Sequence, residues 1–341
     1  MDFFRSTASS ADVNSQQSGA VLIVVLWVIL AVSLLALSFS ASVRTEVNAA
    51  RNVVEQKQSY YLARAGIEYA VFEILKTQSA FYQSQTGQGL GLDNFPPALR
   101  GFLKLELTGG RAEIRIIDET GKININAAPD HLIFNLLLMI GVEAEQADII
   151  TDSVLDWLDP DELISPFGAE SEFYLSLPEP YPAKNGFFDV PEELLLVRGV
   201  TPEIYYGRRG MSEDGEPVAF YGLQNHVTTF TSAPQINLNS ASIPVLAAVP
   251  GLDFGVATMI AEMRAEAPFM NPNEVTDLIP GLSTDALSYL GVTSSSVFTI
   301  RSYGRLDNSK VTSQIRSVIQ VGGVSQKGYT VLYWNESNTE L

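Results

Sequence analysis

Ser18-Gly-Ala-Val-Leu-Ile-Val-Val-Leu-Trp-Val-Ile-Leu-Ala-Val32, SGAVLIVVLWVILAV, opens the most apolar stretch of the chain. Residues 13–43 contain no Asp, Glu, Lys or Arg, and residues 20–37 are apolar apart from Ser33. A run of that length meets the roughly 18–20 residues of a membrane-spanning helix. It exceeds the apolar core of about 7–15 residues in a cleaved secretory signal, although ALSFSA at 36–41 offers the small residues of a signal cleavage site. Arg5 precedes the span, beside Asp2 and Asp12, and Arg44 and Arg51 follow it. The positive-inside rule therefore gives weak guidance on orientation.

The sequence beyond the span continues in the same conformation. RTEVNAARNVVEQKQSYYLARAGIEYAVFEILKT, at 44–77, has no proline and a single glycine, Gly66. Apolar residues recur near heptad spacing at Val43, Val47, Val54, Tyr61, Ala65, Tyr69 and Phe72. Span and stalk read as one helix over residues 20–80, roughly 85 Å at about 1.5 Å per residue. Val43, Val47, Val54 and Tyr61 form the expected helix-packing face, directed at the chain's own sheet or at a partner.

Composition narrows the function. Among 341 residues, 39 Asp and Glu outnumber 21 Lys and Arg, for a net charge of −18. A nucleic-acid ligand is disfavoured, because affinity for phosphate depends on basic surface. The absence of cysteine excludes disulfides, thiolate zinc sites and Cys nucleophiles. His131 and His226 are too few for a His-rich metal site. No Gly-rich phosphate loop, G-x-S-x-G elbow or H-E-x-x-H occurs, so an enzyme is not expected.

The body reads as a sheet interrupted by helices, an α+β fold. FLKLELTGGRAEIRIID alternates like two strands joined at Gly109-Gly110, and these first strands lie within 98–121. VFTIRSYGRL (297–306), KVTSQIRSVIQVGG (310–323) and YTVLYW (329–334) complete an antiparallel sheet within 293–335. The helical insert, 122–292, is duplicated over 122–207 and 235–291. Each half opens with I-N-x-N-x-A, where Asn126 or Asn239 is placed to cap the next helix. Hydrophobic-Gly-hydrophobic turns at Gly141, Gly199, Gly251 and Gly281 mark helix-hairpin-helix units. With Asp253, Asp277 and Asp285 near them, these turns suit packing or protein docking rather than phosphate binding.

Eleven carboxylates crowd residues 152–193, with Lys184 the only base among them. At their centre, DWLDPDELISPFGAESEF follows a helix end with an irregular loop. Hard oxygens on such a loop suit Ca²⁺, and Asp156, Asp159, Asp161, Glu162, Glu170 and Glu172 are the candidate ligands. The spacing is not that of an EF-hand, and a solvated acidic loop is the plainer alternative.

The span and its helical continuation are similar to the type IV pilin and pseudopilin class. D-E-x-G-K-I-N-I-N-A-A (118–128), D-W-L-D-P-D-E (156–162), G-A-E-S-E-F-Y (168–174) and L-L-V-R-G-V (195–200) resemble the K-type minor pseudopilin of the type II (general) secretion system. That resemblance extends from Ser18 to about Tyr333. It implies a 1–19 leader, cut between Gly19 and Ala20 by a prepilin peptidase, and methylation of Ala20. Gln16, Gln17 and Ser18 stand where the class has a basic residue. Val24 occupies the fifth mature place, where the class has a Glu that pairs with a neighbour's N-terminal amine. The tip member of the family also lacks that Glu, and a subunit without it suits the end of a fibre.

The resemblance further implies bound Ca²⁺, one or two ions, and a single-pass protein of the bacterial inner membrane with its body in the periplasm. Implied partners are the I-type and J-type minor pseudopilins, with which it would form a tip complex, and the major pseudopilin. The alternatives are a minor pilin of a type IV pilus and a membrane-anchored, calcium-dependent binding protein.

Overall fold

With no proline to interrupt it, the N-terminal region is one helix, α1, spanning Val13–Ser84. Its 72 residues extend past the expected 20–80 at both ends and measure about 108 Å. In this computed structural model the described residues are 13–84, 102–211, 217–232, 234–279, 282–292, 296–322 and 327–339. Most of the Gln/Gly-rich stretch at 84–97 and the Gly281 turn lie outside them. Within Val21–Thr77 an 18-residue window reaches a mean hydropathy of 3.0, none of it buried against the body. It is long and apolar enough to cross a membrane.

Beyond α1 come β1 (Phe102–Leu107), β2 (Gly110–Asp118), β3 (Ile123–Asn124), α2 (Asp130–Met139), α3 (Ala144–Leu158), α4 (Ser171–Leu175) and α5 (Pro202–Tyr206). Next are β4 (Gly207–Met211), β5 (Pro217–Tyr221), β6 (Val227–Thr228), β7 (Ile236–Asn237), α6 (Ile243–Ala248) and α7 (Phe254–Glu266). The chain ends with α8 (Glu274–Leu278), α9 (Thr284–Ser288), β8 (Leu290–Gly291), β9 (Val297–Leu306), β10 (Thr312–Val321) and β11 (Tyr329–Thr339). The main sheet is antiparallel, in the order β1-β2-β9-β10-β11. Everything between β2 and β9 is therefore inserted into the sheet, and this insert carries short strands and a β4–β5 hairpin besides its helices.

The helix rests on the sheet through small residues. Ser59, Ala63, Gly66 and Ala70, spaced four, three and four apart, share one face, and Ala63 and Ala70 are fully buried. A Cβ on Gly66 would lie 2.2 Å from Ser302 Oγ, and one on Gly304 of β9 only 1.9 Å from the Ser59 carbonyl oxygen. Helix and strand backbones touch because neither glycine has a side chain to separate them. Ile67, Val71 and Ile74 pack around this contact with Ile114, Ile116, Ile300, Ile315 and Ile319, and Leu62 lies against Gly110 and Gly304. The heptad-like residues point elsewhere. Val43, Val47, Val54 and Tyr61 are 38%, 59%, 54% and 62% exposed, so among the described residues α1 has one face for its own sheet and an opposite apolar face left uncovered.

The two halves of the insert repeat each other bond for bond. Asn126 donates Nδ2 to the Phe188 carbonyl (3.0 Å) and accepts the Phe188 amide on Oδ1 (2.8 Å). Asn239 holds Phe269 in the same way, at 2.9 and 2.8 Å. Glu193 then accepts the amides of Asp189 and Val190, as Glu274 accepts those of Met270 and Asn271. Gly141 and Gly251 turn with φ of 91° and 87°, open to glycine at little cost. Each half is closed by a two-residue parallel pairing, β3 with β6 and β7 with β8. Asn126 and Asn239 therefore do not cap the helices that follow. The N-cap residues there are Pro129 and Ser242, neither with a side-chain cap bond, because each asparagine faces a distant backbone segment instead.

Sheet and insert meet at Asp118-Glu-Thr-Gly-Lys122. Glu119 is wholly buried, and its Oε1 accepts from Lys122 Nζ and from Thr299 Oγ1 of β9 (2.7 Å). Burial is the largest single influence and opposes the Glu119 charge, but the charge and hydrogen bond of Lys122, with the hydrogen bonds of Thr228 and Thr299, together outweigh it and hold the carboxyl below its ordinary range. Asn237 of the second half reaches the same loop, donating to Thr120 Oγ1 at 3.1 Å.

Beside Lys122, His226 is buried, with Nδ1 at 2.8 Å from Ser242 Oγ and Nε2 without a partner among the described residues. Burial, and secondarily the Lys122 charge, pull its pKa from 6.5 to about 4. Between those values the unfolded chain binds more protons, so this contribution is intact above about pH 6.5 and is lost as pH falls toward 4. Denaturant midpoints measured across that window should fall for the wild type and fall less for His226→Gln. Identical slopes would show that the imidazole is not the group responsible.

Candidate metal centre

The acidic loop is the place where the two repeats part. Counted from their glycine turns, Ala147 and Ile150 of α3 correspond to Ala257 and Ile260 of α7, and all four are buried. After α7 the chain reaches the clamped Phe269 within three residues. After α3 it first makes an excursion of 29 residues, 159–187, before the equivalent Phe188. That excursion folds back over the last two turns of α3. The Ser165 amide donates to both carboxylate oxygens of Asp156 at 3.2 Å, the Phe167 amide to Asp152 Oδ2 at 2.9 Å, and the Gly186 amide to the Trp157 carbonyl at 3.0 Å.

Aromatic packing secures it. Trp157 meets the Tyr174 ring edge-on at 5.2 Å and stacks on Phe188 at 6.2 Å. Arg198 of the LLVRGV motif donates to the Gly168 carbonyl (2.8 Å) and lies over the Phe173 ring at 5.0 Å. Gly168 itself passes so close to Asp156 that a Cβ there would sit 2.0 Å from Oδ2.

Under this cover three of the six expected ligands converge. Asp156, Asp159 and Glu170 each offer a carboxylate oxygen within 4.8 Å of the others. Asp156 is fully buried and Glu170 is 1% exposed. Neither oxygen of Glu170 has a hydrogen-bond partner among the described residues. Burial, and then the charges of Asp156, Asp159 and Glu162, raise the Glu170 pKa to about 7. Burial likewise raises Asp159, with help from Asp161, Asp156 and Glu162.

The other three predicted ligands are not brought into the group. Asp161 accepts the Leu163 amide at 2.8 Å, turning the loop. Glu162 accepts from Ser171 Oγ and from Asn185 Nδ2, each at 2.9 Å, tying the two ends of the excursion together. Glu172 is exposed on α4, outside the cluster. Charge density alone could not separate carboxylates that brace the loop from those that face inward. Asp152 and Gly168 lie in stretches the sequence singled out but were not candidate site residues, and Asn185 carried no signal of its own.

A buried, unpartnered carboxylate beside two others fits a hard, oxygen-seeking cation, which would offset their mutual repulsion.

Residues 114–207, from β2 through the first repeat and its excursion, match the family model described as type II secretion system (T2SS), protein K. The type II secretion system protein K of Pseudomonas aeruginosa is 27% identical over 289 residues, covering 80% of both chains. That of Pectobacterium carotovorum subsp. carotovorum is 28% identical over 208 residues, 56% of this chain and 61% of that one. In the crystal structure of the GspK-GspI-GspJ complex from enterotoxigenic Escherichia coli, one chain has the same fold, with a TM-score of 0.63 and 18% identity. The match covers 85% of this chain and all of that one. The resemblance to the K-type minor pseudopilins, first carried by short motifs, thus holds in sequence and in fold.

In chelator at pH 8, where Glu170 is ionised, Glu170→Gln should raise the thermal midpoint by removing a buried, unpaired charge. A lowered midpoint would mean that this carboxylate has a protein partner after all.

Proposed function

We propose that this chain, a minor pseudopilin of the K type by its sequence and fold, sits at the tip of a type II secretion pseudopilus, caps it and begins its assembly. The observation that carries the reading is the second face of α1. Val43, Val47, Val54 and Tyr61 continue the apolar span into the body yet stay exposed among the described residues, which leaves a stripe for the N-terminal helices of other subunits. Val24 supports a terminal place, since a fibre end needs no carboxylate to receive a neighbour's amine. The assignment is structural, with no catalytic step.

On this reading the leader is removed after Gly19 and Ala20 is methylated. The chain then joins the I-type and J-type minor pseudopilins and heads the major pseudopilin shaft. The span holds the precursor in the inner membrane with the body in the periplasm. A solved relative in complex with GspI and GspJ supports this choice of partners.

Asp156, Asp159 and Glu170 would hold Ca²⁺, and the ion would neutralise the buried carboxylates that the excursion brings together. Its role would be to fasten residues 159–187 onto α3.

Two outcomes follow. Val47→Glu or Val54→Glu should sharply reduce co-purification with the I-type and J-type partners while leaving the sheet and insert folded by circular dichroism. Undiminished co-purification would sink the helix-face assignment. Calcium in large excess over its Kd should stabilise the wild type by about 2–3 kcal/mol, several degrees in thermal midpoint, and should not stabilise Glu170→Gln. No shift in the wild type would remove calcium from the reading.

A further inference from the structure

The second repeat leaves open a face that the first repeat covers. On α3, Ser153 and Asp156 lie wholly buried, and the excursion sets the Ser165 amide and Gly168 against Asp156. Their counterparts on α7, Met263 and Glu266, are uncovered, with Met263 39% exposed. Met259, one turn earlier, is 45% exposed, and Met270, just beyond the helix, is 77% exposed. Three of the six methionines in the chain thus fall within residues 259–270. Unbranched thioether side chains adapt to partners of differing shape, and they are over-represented on surfaces that accept several. Glu262 and Glu266 edge this patch with exposed carboxylates, and neither has a salt bridge among the described residues. Arg264, on the inner side of the helix, is directed to the Leu238 carbonyl (2.8 Å).

We propose that this face of α7 is a docking site for a short peptide segment of a partner protein, one with an apolar or aromatic anchor beside Lys or Arg. The first repeat shows what the scaffold accepts in this position: a returning segment that lays a glycine and a tyrosine, Gly168 and Tyr174, against the end of the helix. The acidic edge sets the charge of the flanks. On a chain of net charge −18 it repels an anionic lipid surface and attracts a basic peptide. The site is remote in sequence from the carboxylate cluster and from the α1 face, so it stands or falls independently of the secretion reading.

The test uses the full chain in neutral-lipid nanodiscs with labelled synthetic peptides, read by fluorescence anisotropy. One peptide has a Phe/Leu core flanked by Lys, the second the same core flanked by Glu, and the third a Ser/Gly core flanked by Lys. The first should bind at least about tenfold more tightly than the other two, a gap of about 1.4 kcal/mol. The double variant Met259→Gln, Met263→Ser, altered only at exposed positions, should lose that preference with an unchanged thermal midpoint. Leu163→Ser, at an exposed apolar residue of the other repeat, should keep it. The proposal is overturned if no peptide binds, if the variant binds equally, or if Glu flanks serve as well as Lys. It is also overturned if the double variant abolishes self-association or co-sedimentation with phosphatidylglycerol vesicles in place of peptide binding.

Discussion

A lysine ammonium buried beside a glutamate joins the two parts of this molecule. Taking Lys122 and Glu119 out of water costs several kcal/mol for each ion, and only mutual pairing with further hydrogen bonds makes it tolerable. Here Thr299 supplies one such bond from β9, at the root of the sheet. The backbone around the pair is equally constrained. A Cβ on Gly121 would fall 2.5 Å from the Ser240 carbonyl carbon, so the second repeat presses directly on this loop. Asp118 turns the same loop by accepting both the amide and the hydroxyl of Thr120. Strand β2, β9 and both repeats therefore converge on five residues, and a change in any of them disturbs every layer at once.

From that junction the insert is built twice. The duplicated unit is defined less by its helices than by two polar devices, an asparagine gripping the backbone of one phenylalanine and a glutamate gathering the next two amides. Such bonds contribute about 1 kcal/mol each, but leaving the buried amide and carbonyl unmatched costs more. They fix the unit while permitting length changes between its parts. The first repeat takes up that freedom with residues 159–187, and the second rejoins its clamp at once. One copy gains a carboxylate cluster and buries the end of its helix, while the other keeps that end bare.

Much of this architecture was legible in the sequence because it rests on periodicity. The five main strands, the continuous N-terminal helix and the internal repeat all follow from alternation, heptad-like spacing and recurring I-N-x-N-x-A boxes. Polar partners were less legible. Asn126 looked like a helix cap because its nearest helix follows at once, whereas its bonds close over Phe188, 62 residues away. The stalk was legible on one side only. Its large apolar residues drew attention to the outward stripe, while the inward contact depends on Ser59, Ala63, Gly66 and Ala70, whose small size carries no hydrophobic signal. Among the acidic residues, inward and outward carboxylates are chemically identical in sequence, and only the path of the excursion separates Glu170 from Glu172.

The excursion also shows why a cation suits this chain. It carries six carboxylates and one lysine, with no cysteine anywhere to tie it down. Rings around Trp157 and the reach of Arg198 to Gly168 hold its middle, and Glu162 draws its ends together through Ser171 and Asn185. The folded excursion sets Glu170 within 4.8 Å of Asp156 and Asp159, so its packing is opposed by their repulsion. A proton on Glu170 relieves that conflict below neutral pH, as its pKa of about 7 indicates, but at higher pH the charges remain. A divalent ion removes the conflict at any pH where the carboxylates are ionised. It would convert this electrostatic liability of the first repeat into its fastening, and the second repeat, lacking the excursion, has no such cluster among its described residues.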